Sequence, residues 1–351
     1  MKKVLSIVAV VAGFVMSGVA QAEVRLNGAG ATFPNPIYQR WVVEYQKSHP
    51  EVKIDYQSIG SGGGIKGITD KTIDFAGSDA PMSKKEMEAA KAAVVHIPTV
   101  AGAVVLAYNL PKVQGEVKLT GELVAEIYMG KISKWNNEKI AAVNAGVRLP
   151  DVVITPVWRT DGSGTSFVFT NYLAGQSAEF KGSIGAGKQV KWPVGQGGKG
   201  NEGVTAVVQS TPGAVGYVEM NYATANKIPF ALMRNKEGKF VKASAESVAA
   251  AGEGAVEQIG KTLAVNIWDQ LGDKAYPIAA FTYVIVYQDL GYLKDEGKAK
   301  ALVEFLNWAT SDGQGMAASM DYAPLSEGVQ KKVKQAIGGL KWEGKAVAAG
   351  Q

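Results

Sequence analysis

The stretch VVITPVWRTDGSGTSFVFT, residues 152–170, decides how the rest of the chain is read. Residues 152–159 are rich in β-branched and aromatic side chains, as a strand should be. Residues 159–166 form a Gly/Ser/Thr turn standing immediately before an apparent helix. Strand, small-residue turn and helix is the unit of an α/β fold. Two more such turns, GAGATFP at 28–34 and GSGGG at 60–64, stand in the same position. The spacing predicts a helix over 36–48, with Ile37, Trp41, Val42 and Tyr45 on one face, and a strand over 52–56. Ser83 and Glu86 form a capping box opening a helix to residue 93, followed by strand material over 94–105 broken at Pro98 and Gly102. Further helices are expected over 119–128, 132–143 and 298–310, and further strands over 215–219 and 281–287.

The 351 residues hold 46% hydrophobic and 20% charged side chains, a composition that excludes disorder and suits two domains. The absence of cysteine removes disulfides, thiolate metal sites and thiol nucleophiles. With only His49 and His96, a three-histidine metal site is impossible and a serine triad has two candidate bases. Lys2 and Lys3 precede an apolar run over 4–20 that ends Ala20-Gln21-Ala22. This reads as a cleavable signal peptide, residues 1–22, because the run is short of the roughly 20 residues a spanning helix needs. The mature chain is thus expected to be exported and soluble, with 35 basic groups against 32 acidic ones. The densest basic patch, Lys331, Lys332 and Lys334, reads as a solvated helix face and points to no nucleic acid.

Several near-motifs fail on a required atom. GSIGAGKQ at 182–189 resembles a nucleotide-binding loop, but Gln189 stands where a magnesium-holding Ser or Thr is needed. Gly260-Lys261-Thr262 ends correctly but has Ala255 in place of the first glycine. Ser163 lacks the flanking spacing of a nucleophile elbow.

The three turns are potential anion seats. The first turn of a helix leaves N–H groups unpaired and carries partial positive charge; glycine permits close approach, and Ser or Thr adds a hydroxyl donor. Any one of them alone reads as a plain N-cap. Three together, with the forked donor Arg159 heading the third, point to a pocket for a small tetrahedral oxyanion. Asp79, between strand-like residues and Pro81, is either a turn cap or a pocket acceptor. A carboxylate repels an anion unless that anion has a proton to give. Near neutral pH phosphate keeps one and sulfate none, so a fixed acceptor would admit the first and reject the second. Asp161 either fixes the Arg159 guanidinium or makes an Asx turn.

The motifs GAGATFP (28–34), IGSGGG (59–64), DFAGSDAP (74–81), RTDGSGTSFVFT (159–170), KWPVGQGGKGNEGV (191–204) and PGAVGYVE (212–219) together resemble those of the periplasmic phosphate-binding proteins of ATP-driven phosphate importers. The likeness covers nearly the whole mature chain. It implies a two-domain Venus-flytrap α/β fold, each domain a mixed sheet flanked by helices. One domain would take 23–107 and 283–351, the other 108–282, with hinge strands near 106–109 and 279–283. It implies a binder and not an enzyme, with inorganic phosphate as ligand, no cofactor and no metal. The implied partners are a membrane permease and its cytoplasmic ATPase; the chain itself is expected to be a periplasmic monomer. By the resemblance Thr32 and Ser61 donate hydroxyls and Phe33 a backbone N–H, while Asp79 accepts the phosphate proton. Arg159 donates charge, Asp161 is its salt partner, and Ser163, Gly164 and Thr165 donate from a helix N-terminus. Gly62 departs from the usual serine and could loosen its turn. Residues 182–189 and the tail beyond 342 match least and receive no function. The alternatives are a receptor for sulfate or molybdate, and a secreted hydrolase or phosphatase using Ser163.

Overall fold

The computed structural model describes residues 23–259 and 263–347. The expected leader and the 260–262 sequence lie outside them. Strands β1 (Val24–Gly30), β2 (Val52–Ser58) and β3 (Phe75–Ser78) run parallel, connected by helices α1 (Asn35–Ser48) and α2 (Ser61–Thr69). α1 buries Ile37, Trp41, Val42 and Tyr45 at the expected three- and four-residue spacing. α3 (Lys84–Ala90) opens on the Ser83–Glu86 capping box and stops short of residue 93, because Lys91 turns left-handed at φ 57°.

β4 (Val94–Tyr108) is one strand of 15 residues, so the expected break at Pro98 and Gly102 does not occur. Pro98 is accommodated at a bulge, where pairing shifts between Val100 and Pro98, and its missing N–H costs no ladder bond there. Gly102 lies under the Phe33 ring, whose nearest atoms would stand 2.7 Å from a Cβ at that position.

Beyond it come β5 (Lys118–Leu119), α4 (Gly121–Tyr128) and α5 (Glu138–Val143). The helix expected over 132–143 starts only at 138, because the preceding loop turns inward to bury Trp135, whose Nε1–H donates to Gly213 O at 2.9 Å. β6 (Thr155–Arg159), α6 (Gly164–Gln176), α7 (Ala178–Ser183), β7 (Gln196–Gly198), α8 (Gly200–Ser210) and β8 (Ala214–Glu219) follow, with β6 parallel to both β7 and β8. α9 (Met220–Ala225), β9 (Leu232–Arg234), β10 (Phe240–Val241), α10 (Ala245–Ala251) and α11 (Ala255–Gln258) lead back; β9 and β10 form a small sheet with β5. β11 (Ala279–Tyr287), α12 (Glu296–Ala309) and α13 (Glu327–Gly338) complete the described core.

The main sheet has the order β2-β1-β3-β11-β4-β8-β6-β7. β4 is its strap: residues 94–103 pair with β11, and residues 104–108 with β8. Val100, Ala103, Val104, Val105, Leu106 and Ala107 are fully buried, so the strap is covered on both faces. The parallel strands on either side of it end toward a common crevice, the place where ligands sit in open α/β sheets. No helix among the described residues is long and apolar enough to cross a membrane.

Candidate functional site

The crevice brings together all nine residues expected from the sequence. Thr32 and Phe33 follow β1, Ser61 opens α2, and Asp79 directly follows β3. Facing them, Arg159 ends β6, and Asp161, Ser163, Gly164 and Thr165 form the turn into α6. Thr32, Ser61, Asp79, Arg159, Ser163 and Thr165 are each 3% exposed or less, so the crevice is closed over them.

The hydrogen bonds determine which atoms remain to meet a ligand. Ser61 Oγ accepts from Asp79 N–H (3.2 Å) and, across the crevice, from Gly164 N–H (3.1 Å). Thr32 Oγ1 accepts from Asn201 N–H (3.2 Å) and Asn201 Nδ2–H (2.7 Å). Thr165 Oγ1 accepts from Arg159 Nη1–H and Asn201 Nδ2–H, both at 3.3 Å. A hydroxyl oxygen has two lone pairs and one hydrogen. With both lone pairs engaged, each of these three hydroxyls can only donate. Ser163 caps α6 by accepting from Ser166 N–H at 3.0 Å, which also leaves its hydrogen to give. Among the described residues, Phe33 N–H and Thr165 N–H have no acceptor, the latter as expected in the first turn of a helix.

Asp79 is the exception in this ring of donors. Thr282 Oγ1–H, from β11, donates to its Oδ1 at 2.8 Å, and its Oδ2 is turned toward Gly164, where a Cβ would lie 2.4 Å away. Burial pushes the Asp79 carboxyl up to about 7, against the opposing pull of the Thr282 hydrogen bond, the Arg159 charge and Ser61; the Asp161 charge adds to the rise. Asp161 behaves oppositely. Burial raises it, but two hydrogen bonds from Arg159, Nε–H to Oδ1 (2.8 Å) and Nη2–H to Oδ2 (2.5 Å), together with Gly200 N–H at 3.0 Å, hold it below the ordinary carboxylate range. The Asx-turn alternative for Asp161 therefore yields to the bidentate ion pair.

A model of the PBP superfamily domain matches residues 17–313. The chain is 43% identical over 310 residues to the phosphate-binding protein PstS of Pasteurella multocida, a match covering 88% of each chain. It belongs to the PstS family. PstS of Haemophilus influenzae is 41% identical over 316 residues, 90% of this chain and 92% of that one. In fold, the chain superposes on a phosphate-binding protein from Stenotrophomonas maltophilia with a TM-score of 0.68 at 21% identity, covering 89% of this chain and 94% of that one.

Within this PstS-family site, sequence reasoning missed two residues. Asn201 lies inside the quoted 191–204 motif but carried no signal of its own; its amide joins Thr32 to Thr165 across the crevice and its Oδ1 takes Glu219 N–H at 3.0 Å. Thr282 sits in a plain apolar strand, and only its placement beside Asp79 reveals it. Nor does Gly62 loosen the turn: its N–H donates to Gly162 O at 2.8 Å across the crevice. Of the two histidines, His96 accepts Met82 N–H at its Nε2 (2.9 Å), and His49 stacks on Tyr45 with its Nδ1 beside Ser48 Oγ. Among the described residues, no group of three or more His, Cys, Asp or Glu side chains could hold a metal ion.

Proposed function

We propose that this chain is a periplasmic phosphate receptor that delivers inorganic phosphate to the membrane subunits of an ATP-driven importer. One observation carries the reading: hydroxyls that can only donate, on Thr32, Ser61 and Thr165, with the Ser163 hydroxyl, the Phe33 N–H and the Arg159 guanidinium, gather around Asp79, whose Oδ2 is the carboxylate oxygen not taken by Thr282. A singly protonated tetrahedral anion matches that pattern, its proton going to Asp79 and its remaining lone pairs to the donors. A fully ionised oxyanion leaves two oxygens facing each other without a hydrogen between them, at a cost of several kcal/mol in a buried site. The Arg159 charge is already balanced by Asp161. The dianion is therefore held mainly by hydrogen-bond dipoles and the N-termini of α2 and α6.

The two lobes are taken as 23–107 with 283–351, and 108–282. The change of partner along β4 from β11 to β8 supports a flexing strap between them. Closure would present a joint rim to a permease, so that the loaded form docks. A hydrolytic role for Ser163 is disfavoured because its Oγ is engaged as an N-cap and both histidines bond elsewhere.

Calorimetric titration of stripped mature protein tests the reading. Phosphate should bind one to one, with excess sulfate or molybdate failing to displace it at pH 8. Asp79→Asn, which replaces the acceptor by an amide able to donate, should keep most phosphate affinity and admit sulfate. An unchanged phosphate-to-sulfate preference in that variant refutes the role of the carboxylate.

A further inference from the structure

We propose that Thr282 is the positioning residue that sets which protonation state of Asp79 the ligand meets, and thereby the pH above which sulfate is excluded. The inference rests on the receptor reading and extends it to a residue outside the ligand ring. Thr282 is fully buried on β11, and its hydroxyl donates to Asp79 Oδ1 at 2.8 Å. A hydroxyl has one hydrogen, so Asp79 receives a fixed donor on one oxygen and turns only the other toward the ligand. The antiparallel pairing of β11 with β3 at Tyr283 and Ser78 sets Thr282 beside Asp79, the residue after Ser78. Pairing between β11 and β4 shifts between Thr282 and Tyr283, where Thr282 lies opposite Val100 and Tyr283 opposite Pro98. The extra residue of this bulge lies on β4. Thr99, the extra residue, donates its own hydroxyl to Thr282 O at 3.2 Å and so secures the bulge from the other strand.

The donor matters because it favours the carboxylate over the acid. An ionised Asp79 offers only lone pairs, whereas a protonated one can give a hydrogen to sulfate. The charged groups facing Asp79 are Arg159 at the end of β6, Asp161 before α6 and Glu219 at the end of β8. Tyr38, Tyr56, Tyr283 and Tyr322 also feel its charge, and burial raises all four, which keeps them neutral through the working range. Glu219 is likewise raised by burial. Among the described residues the hydrogen bond to Oδ1 comes from Thr282, and Ser61 adds a second hydrogen bond to the carboxyl.

The test is sulfate competition against phosphate on stripped mature protein from pH 5 to pH 9. In the native protein, sulfate should compete increasingly as pH falls through the Asp79 titration. Thr282→Val keeps the shape and removes the donor, so the onset of sulfate competition should move up by about one to two pH units, a loss of roughly tenfold or more in discrimination at fixed pH. Thr282→Ser should restore the native profile, and in an Asp79→Asn background Thr282→Val should change nothing further. Thr282→Ala serves as the second variant if valine lowers the melting temperature. A native onset in Thr282→Val, in a protein that binds phosphate and excludes sulfate, overturns the inference and leaves the receptor reading standing. Failure of the native protein to bind phosphate overturns the receptor reading itself.

Discussion

Replacing Gly164 by alanine adds one methyl group at the point where the two halves of the site meet. Its Cβ would lie 2.4 Å from Ser61 Oγ, 2.4 Å from Asp79 Oδ2 and 2.7 Å from Asp79 Cβ, all on the opposite side of the crevice. Real carbon contacts need more than 3 Å, so the walls must part by about 1 Å, and hydrogen bonds weaken steeply over that distance. The Gly164 N–H to Ser61 Oγ bond at 3.1 Å is the first to go, and the Asp79 contact with the ligand follows. Gly164 has no left-handed backbone to defend, so the substitution leaves α6 unstrained. One lost hydrogen bond to a charged ligand, at about 1.5–3 kcal/mol, together with the lost Gly164–Ser61 bond, at about 0.5–1.5 kcal/mol, weakens binding by about 30- to 10³-fold. Calorimetry with phosphate measures the loss, and a melting curve without ligand should show a stability close to native. A Gly164→Ala protein that binds phosphate within about fivefold of the native affinity refutes the geometry, because then the crevice does not close on this glycine.

Three further outcomes follow from the same contacts. Asn201→Asp replaces the amide that donates to Thr32 and Thr165 by an acceptor, drawing their hydroxyl hydrogens away from the ligand; phosphate affinity should fall by about tenfold or more in calorimetry, with Asn201→Ala losing less. Lys188→Met removes the ion pair with Glu86 that spans the crevice rim, where both side chains are roughly a quarter exposed; stopped-flow release of phosphate should quicken by about two- to fivefold, an effect that vanishes at high salt. Burial pushes His96 down to about 4, against the weaker pull of Glu86, so its neutral form contributes stability that is intact above pH 6.5 and lost as pH falls toward 4; the unfolding free energy from urea titrations should decline across that window by about 3 kcal/mol relative to a His96→Gln variant.

The turns were legible because their chemistry is local. A Gly/Ser/Thr cluster before a helix announces unpaired N–H groups whatever else the chain does, and Thr32, Ser61 and Ser163 to Thr165 were found in that way. Family likeness added their common purpose. Other features depend on partners that are distant in sequence. Pro98 reads as a break in any isolated window, yet the 15-residue β4 survives it because its pairing with β11, nearly 190 residues later, takes up Thr99 of β4 as a bulge at that place. The expected helix over 132–143 fails for the same kind of reason: Trp135 gains a buried partner in Gly213, and that tertiary contact outweighs helical spacing.

The 182–189 segment shows how a misleading motif finds a structural use. It lacks the hydroxyl a nucleotide loop needs, and its glycines serve instead to bring a rim loop over α6. Gly187 N–H donates to Thr170 Oγ1 at 3.0 Å, and Lys188 O takes the Ser163 N–H at 2.8 Å. That second bond removes the Ser163 amide from the ligand's reach, so Ser163 can give only its hydroxyl, while the next free N–H belongs to Thr165. Lys188 then extends across the crevice to Glu86, the residue that closes the capping box of α3 a few positions after Asp79. One lysine thus contacts both walls, its carbonyl fixing a donor on one side and its ammonium holding the acceptor's own loop on the other. Opening the crevice must break this pair together with the Gly62 to Gly162 bond and the Asn201 to Thr32 bonds. Each of these is weak alone, but because they break in the same motion their cost adds to that of exposing the anion, and the rate of release depends on all of them.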